Sequence, residues 1–99
     1  MKLVYTEQAL TGLDETLDFI SKNVSSTKVI EIRDRILDKI DTLINQPSIG
    51  QKELALEHLG LGHRRLIAGH CKIIYRIEDN YIYITDIFDS RQDPDMMKG

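Results

Sequence analysis

The sequence predicts an α+β fold with the order β-α-α-β-β-β, in which a helical hairpin packs on one face of a mainly antiparallel four-stranded sheet. Two amphipathic helical patterns fill the first half of the chain, and three runs rich in β-branched and aromatic residues fill the second half. The breaks between these runs contain Gly69 and the pair Asp79-Asn80, which tolerate positive φ and can close antiparallel hairpins. With 99 residues, the chain is predicted to form a single domain, residues 1–99.

The N-terminal segment predicts a short strand followed by a helix. Lys2 to Tyr5 is short and rich in apolar residues, and Thr6 is a suitable N-cap for the helix that follows. A stripe with spacings of three and four is expected to be buried along this helix: Leu10, Leu13, Leu17, Ile20 and Val24. Gly12 lies off the stripe, so we expect it only to weaken the helix somewhat.

A second helix is predicted between the capping residues Ser25-Ser26-Thr27 and Pro47. Its apolar stripe has the same spacing: Val29, Ile32, Ile36, Ile40 and Leu43, widened by Leu37 and Ile44. Because the break between the helices is short, they are expected to fold back on each other as a hairpin. Residues 45–62 are predicted to form a loop anchored by leucines: Leu54, Leu56, Leu59 and Leu61. Both a short extended piece and one helical turn fit the pattern around Leu54 and Leu56.

The three C-terminal strands are predicted at Arg64 to Ala68, Cys71 to Ile77 and Tyr81 to Phe88. Alternation in the second of them assigns one set of side chains to the helices: Cys71, Ile73, Tyr75 and Ile77. The other set faces away from the helices: Lys72, Ile74, Arg76 and Glu78. In the last strand both faces are apolar, as in an interior strand, with Ile82 and Ile84 on one face and Tyr81, Tyr83 and Ile87 on the other.

Positive charge is concentrated in the predicted sheet although the formal net charge of the chain is −3, which gives no general attraction to nucleic acid. No acidic residue occurs from Gly60 to Ile77, a stretch that contains Arg64, Arg65, Lys72 and Arg76 together with His63 and His70. Two interpretations stay open. The cations form a binding patch, or Arg65 or Arg76 makes cross-strand ion pairs with Asp86 or Asp89.

Several individual residues have a simpler structural interpretation. We expect Tyr75 and the lone Cys71 to be buried in the core, and His63 and His70 to be exposed at strand ends. These histidines and the cysteine do not make a recognisable zinc-binding set, so no metal site is predicted. The chain has no export signal and no apolar run long enough to span a membrane, and a single cysteine cannot form an internal disulfide, which favours the cytoplasm.

The order of these elements and two motifs resemble the RelE/ParE superfamily of toxins from type II toxin–antitoxin systems. The first motif, RRLIAGHCKIIYRI, combines an arginine-rich strand, a glycine turn, a basic residue and an apolar run ending in tyrosine. The second, IFDSRQDP, is similar to the ParE-type ending of the family. The resemblance covers nearly the whole chain. It implies the fold given above and a growth-inhibiting toxin of the plasmid-stabilisation type, without a cofactor, that a cognate antitoxin neutralises in a hetero-oligomeric complex.

The superfamily implies two modes of action. RelE-like members are ribosome-dependent endoribonucleases, and here the candidates for catalysis are Lys72, Arg76, Arg91 and His70. Lys72 falls where these ribonucleases commonly carry a catalytic arginine, and Phe88 falls where they often carry a histidine. No tyrosine or histidine follows Phe88, and the next residues include three aspartates that would repel RNA: Asp89, Asp93 and Asp95.

These departures favour the ParE-like mode, a non-enzymatic inhibitor of DNA gyrase. The ribonuclease that acts on messenger RNA in the ribosome remains the alternative, and a non-toxic relative that only binds partners is the second alternative. In either toxic mode, the candidates for contact with the target or with the antitoxin are the same: Arg64, Arg65, Lys72, Arg76, Phe88 and Arg91. Asp89 and Asp93 are close enough in sequence to neutralise Arg91 instead.

Overall fold

A computed structural model describes residues 1–92 and Met97. The elements, numbered in chain order, are β1 (Lys2–Tyr5), α1 (Glu7–Ser21), α2 (Ser26–Asp41), β2 (Gln51–Lys52), β3 (Arg64–Ala68), β4 (Cys71–Glu78) and β5 (Tyr81–Asp89), with 3-10 turns at Thr42–Ile44 and Leu54–Leu59. The predicted α+β fold is confirmed. The expectations for Asp93 and Asp95 concern residues outside the described part of the chain.

The sheet has five strands in the order β1-β5-β4-β3-β2. β1 runs parallel to β5, and the remaining neighbours are antiparallel. The sequence predicted four strands and missed β2, whose two residues pair with Arg65 and Arg64. Gln51 and Lys52 are both polar and exposed, so no alternation marks them as a strand. Only their pairing with β3 defines their extended conformation.

Helix α1 begins at the predicted cap, where the Thr6 hydroxyl accepts a hydrogen bond from the Ala9 amide. Its buried residues are Ala9, Leu13, Thr16 and Ile20. The prediction for Leu10 and Val24 is wrong, because Leu10 is 49% exposed and Val24 is 37% exposed. Small side chains face the sheet instead, and they let the helix backbone come close to β5.

Gly12 marks the point of closest approach between α1 and β5. A Cβ atom added to Gly12 would lie 2.4 Å from the carbonyl oxygen of Ile87. The expectation that Gly12 is merely a weak position in the helix is therefore wrong, because the lack of a side chain lets the helix rest directly on the strand backbone.

Helix α2 is capped by the Ser25 hydroxyl, which accepts a hydrogen bond from the Lys28 amide. Its predicted stripe is fully buried in its C-terminal part, at Ile36 and Ile40 of α2 and at Leu43 of the 3-10 turn that follows. Ile44 is exposed, contrary to prediction, because the α-helix ends at Asp41 and a 3-10 turn changes the direction of the side chains that follow.

Strand β5 contains a bulge that changes the face of its last residues. Ile74 pairs with Asp86 and Tyr75 pairs with Ile84, so Thr85 has no partner of its own in β4. After the bulge Ile87 returns to the helix side and joins the main core. The prediction that Ile87 shares a face with Tyr81 and Tyr83 is wrong for this reason.

The predicted faces of β4 are confirmed. Cys71, Ile73 and Tyr75 are buried in the core with α1 and α2, and Ile77 packs at its margin. The hydroxyl of Tyr75 donates a hydrogen bond to the Pro47 carbonyl (2.8 Å) and accepts one from the Gly50 amide (2.9 Å). Tyr75 therefore fixes the start of the loop that precedes β3. No helix within the described residues is long and apolar enough to cross a membrane.

Replacing Gly12 with alanine should destabilise the protein although alanine is the better helix former. The intrinsic preference favours alanine by about 1 kcal/mol, whereas relief of the clash with the Ile87 carbonyl must move the helix or the strand, at a cost of about 1–3 kcal/mol. Urea unfolding of G12A should therefore show a lower midpoint than the wild type. The exposed neighbour Thr11 offers a control, and T11A should unfold at or above the wild-type midpoint. A G12A protein as stable as T11A would contradict the close approach.

Candidate binding site on the open face of the sheet

The open face is the side of the sheet that faces away from α1 and α2. Alternation in β4 places Lys72, Ile74 and Arg76 there, as predicted. The register of the neighbouring strands adds Arg65, which is opposite Ile74, and Tyr83, which is opposite Arg76. These five side chains come from the three central strands, so the backbone hydrogen bonds of the sheet hold them at fixed spacings.

A buried carboxylate neutralises part of the positive charge of this face. Glu53, whose side chain is only 3% exposed, accepts hydrogen bonds from Arg65 Nη1 at Oε2 and from Lys72 Nζ at Oε1, each at 2.7 Å. Arg65 also donates to the Lys52 carbonyl at 2.8 Å and to the Gln51 side-chain oxygen at 2.9 Å. One acid thus serves two cations, and a net positive charge remains.

The ionisation of Glu53 follows from these contacts. Burial by itself would raise the pKa of the Glu53 carboxyl, but the hydrogen bonds and charges of Lys72 and Arg65 outweigh burial and lower the pKa below its ordinary value. Glu53 is therefore ionised at neutral pH and holds both cations. The sequence alone does not mark Glu53 as a site residue, because Glu53 lies in a segment whose pattern indicates only a loop.

The half of the open face next to Glu53 is covered. Leu56 packs with Ile74, Phe88 and Met97 in a second small apolar cluster. Phe88 was predicted to contact a target or the antitoxin, but it is only 7% exposed beneath this cover. Of the four anchoring leucines that were predicted, only Leu56 is buried, whereas Leu54, Leu59 and Leu61 are exposed.

The other half of the open face is accessible and carries a cation and two aromatic rings. The guanidinium carbon of Arg76 lies 4.8 Å from the centroid of the Tyr83 ring, and the Tyr83 and Tyr81 centroids are 5.9 Å apart. Arg76 also pairs with Glu78 of the same strand. Tyrosine and arginine are the side chains most often found at the energetic centres of protein interfaces. The alternation of residues in β5 predicts that both tyrosines share one face, but it does not indicate their contact with Arg76.

Arg65 and Arg76 both form ion pairs with glutamates that the sequence did not suggest. Arg65 pairs with Glu53, and Arg76 pairs with Glu78. Asp89, a predicted partner of Arg65 or Arg76, is taken by Arg91, because Arg91 Nε and Nη2 bind its two carboxylate oxygens at 2.9 and 2.6 Å. Of the interpretations that were left open, cross-strand pairing with Asp89 is therefore not realised.

Arg64 and Arg91 do not belong to the open face. Arg64 is opposite Tyr75 and donates to the carbonyls of Gly50 (2.7 Å) and Ser48 (3.4 Å), so it binds the loop before β2. Arg91 borders a pocket of about 170 Å³ at the end of the helical hairpin, together with His70 and Arg35. The four residues that were predicted as ribonuclease candidates are thus divided, with Lys72 and Arg76 on the open face and His70 and Arg91 at this pocket.

The remaining titratable residues differ in exposure. His70 is exposed as predicted, whereas the prediction for His63 is wrong, because His63 is buried at the start of β3. Cys71 is buried as predicted, and burial, followed by the charge of Asp89, raises the pKa of its thiol to about 11. Among residues 1–92 and 97, no group of three or more histidine, cysteine, aspartate or glutamate side chains could hold a metal ion.

Residues 3–94 match a family model described as ParE toxin of type II toxin–antitoxin system, parDE. The fold is also similar to a solved chain of the chromosomal ParDE toxin–antitoxin system from P. aeruginosa, with a TM-score of 0.75. That likeness covers 90% of this chain and 95% of the other at 19% sequence identity, so it shows the fold alone. No curated protein sequence is significantly similar to this chain.

The contact between Arg91 and Asp89 should make stability depend on acid pH. The hydrogen bonds from Arg91 outweigh burial and lower the pKa of Asp89, so the folded protein binds this proton less readily than the unfolded chain. Stability from this group is present above the ordinary aspartate pKa of about 3.9 and is lost as the pH falls through the lowered value.

Comparison of unfolding midpoints at pH 6 and pH 3 tests this dependence. D89N should be less stable than the wild type at pH 6 and should lose less stability between the two pH values. The exposed Asp14 of α1 supplies the control, and D14N should lose as much stability as the wild type. An unchanged loss in D89N would show that the Asp89 contact does not contribute to the acid response.

Proposed function

Because the chain belongs to the ParE toxin family of type II toxin–antitoxin systems, we propose that it inhibits growth by binding DNA gyrase and that a cognate antitoxin neutralises it. The family match over residues 3–94 is the observation that carries this proposal. The proposed place of action is the cytoplasm, where gyrase and newly made antitoxin are both present. In this proposal the complex with the antitoxin is hetero-oligomeric and serves plasmid stabilisation.

The chemistry of the open face supports binding rather than catalysis. Proton transfer to and from a ribose hydroxyl and a leaving oxygen requires groups that can change their protonation near neutral pH. Lys72 is held by the ionised Glu53, and Arg76 is an arginine paired with Glu78. His70 and Arg91 lie at the pocket beside the helices. The histidine among the four ribonuclease candidates is therefore not on the same face as Lys72 and Arg76, and the acid that contacts Lys72 is the ionised Glu53.

The accessible half of the open face is the proposed contact with gyrase. Arg76, Tyr83 and Tyr81 form a continuous group of a cation and two rings, and Tyr81 is 41% exposed. A fixed arginine over an aromatic ring loses little conformational entropy when a partner binds. The other proposed contacts with the target or the antitoxin remain those expected from the sequence: Arg64, Arg65, Lys72, Phe88 and Arg91.

Supercoiling by purified gyrase tests the leading function directly. The wild-type chain should inhibit supercoiling of relaxed plasmid, and expression without the antitoxin should arrest growth and induce the DNA-damage response. The same preparation should leave messenger RNA intact in translating ribosomes. Cleavage at the ribosome with normal supercoiling would support the ribonuclease instead, and normal growth with neither effect would indicate a non-toxic binding protein.

Removal of the Arg76 side chain tests the proposed contact. R76A should raise the concentration needed for half-inhibition of gyrase by about tenfold, as expected when an interface arginine that contributes more than about 1 kcal/mol is truncated. Arg33 provides the matched control, since it is exposed on α2 and paired with Asp34. R33A should inhibit as the wild type does. Equal inhibition by R76A and R33A, with both variants folded by circular dichroism, would place the gyrase contact elsewhere.

A further inference from the structure

Residues 53–59, which we call the strap, lie over one half of the open face and are held there by two side chains. Glu53 and Leu56 are buried, and the other side chains of the strap are exposed. Leu54 is 68% exposed and Leu59 is 42% exposed. A segment with large apolar side chains on its outer side and only two buried side chains contributes little to the core.

The surface beneath the strap combines charge with an apolar area. Arg65 is opposite Ile74 and Lys72 is opposite Phe88, so each cation lies beside an apolar side chain in the register of the sheet. Glu53 neutralises only one of the two cations, and Leu56 covers the apolar pair. This surface therefore fits a segment that brings a carboxylate and a leucine-like side chain, three residues apart in one helical turn.

The two ends of the strap differ in how tightly they are packed. Before it, a Cβ atom on Gly50 would lie 2.6 Å from the Tyr75 hydroxyl, so the chain is packed tightly there. After it, Gly60 and Gly62 have φ values of 69° and 71°, and an added Cβ would meet no atom within 4 Å at either position. A pocket of about 250 Å³ opens between these glycines, Glu57 and the strap. The chain is therefore loosely packed after the strap, at Gly60 and Gly62, whereas it is tightly packed before the strap, at Gly50.

We propose that the surface of Arg65, Lys72, Ile74 and Phe88 is a binding site for an acidic, amphipathic segment of the antitoxin, and that the strap occupies it until the antitoxin displaces it. In the exchange, a carboxylate of the partner takes the place of Glu53 on the two cations, and an apolar side chain takes the place of Leu56 on Ile74 and Phe88. The inference rests on the proposed function, because it assigns the antitoxin to a covered part of the same face.

This arrangement makes the strap a competitor of the partner. The apparent affinity of a partner falls by the fraction of molecules in which its site is open. A substitution that weakens the contact between the strap and the surface below it, without altering that surface, should therefore increase the affinity for a separate partner segment. Glu53→Gln does this, because glutamine keeps the shape of the side chain but no longer neutralises Arg65 and Lys72.

The test uses the full chain and a synthetic peptide with the sequence of residues 51–61, blocked at both ends, as a probe for the acidic segment. At low ionic strength E53Q should bind this peptide at least about tenfold more tightly than the wild type, with shifted amide resonances at Lys72 and Ile74. Glu57 is exposed on the same strap, so E57Q is the matched control and should bind as the wild type does. A peptide with glutamine in place of its first glutamate should bind more weakly.

Two results would overturn the proposal. One is a folded E53Q protein that binds the peptide no better than E57Q. The other comes from amide hydrogen exchange of the wild type. The Glu53 amide donates to the His63 carbonyl and the Leu56 amide donates to the Glu53 carbonyl, and both should exchange well before the amides of β4. Exchange at the same rate as β4 would show that the strap does not open separately from the sheet, and this measurement tests the proposal even if E53Q fails to fold. Neither readout involves gyrase, so a failure of gyrase inhibition remains a separate result.

Discussion

The buried carboxylate of Glu53 constrains three parts of the chain that are far apart in sequence. It follows the short β2, and its two oxygens hold Arg65 of β3 and Lys72 of β4. An ionised acid is costly to bury unless it is paired and hydrogen-bonded, so the loop must keep the path that brings Glu53 to both cations. That path sets Leu56 over Ile74 and so determines which half of the sheet is covered.

The helix side of the sheet depends on a different constraint, which also affects the open face. The bulge at Thr85 turns Ile87 toward the core and Phe88 toward the open face. Gly12 then lets α1 approach the Ile87 carbonyl closely. The bulge in β5 therefore places one apolar residue in the core and the next one on the open face. A change in the bulge would alter both faces of the sheet.

Local patterns in the sequence were sufficient to predict both helices and four of the five strands, but neither β2 nor the contacts between the elements. Periodicity and turn residues located β3, β4, β5 and both helices, because these signals act over a few neighbouring residues. On α1, Leu13 and Ile20 are buried as predicted, whereas the burial of Leu10 was mispredicted. The packing of this helix depends on backbone proximity at Gly12, which hydrophobicity does not report. Glu53 was missed because its contacts are with Arg65 and Lys72, which follow it in the chain by 12 and 19 positions.

The pairing of every predicted open-face cation with an acid favours a protein partner over a nucleic acid. A phosphate backbone could use Arg65 and Lys72 only after Glu53 had left, and the departing carboxylate and nearby Glu57 would repel it. A protein segment can replace the carboxylate of Glu53 and the apolar contact of Leu56 together, so each buried group keeps a partner during the exchange. At the accessible half, the Arg76 and Tyr83 pair likewise offers the contacts typical of protein interfaces. Both halves of the open face thus support the proposed binding of a protein partner.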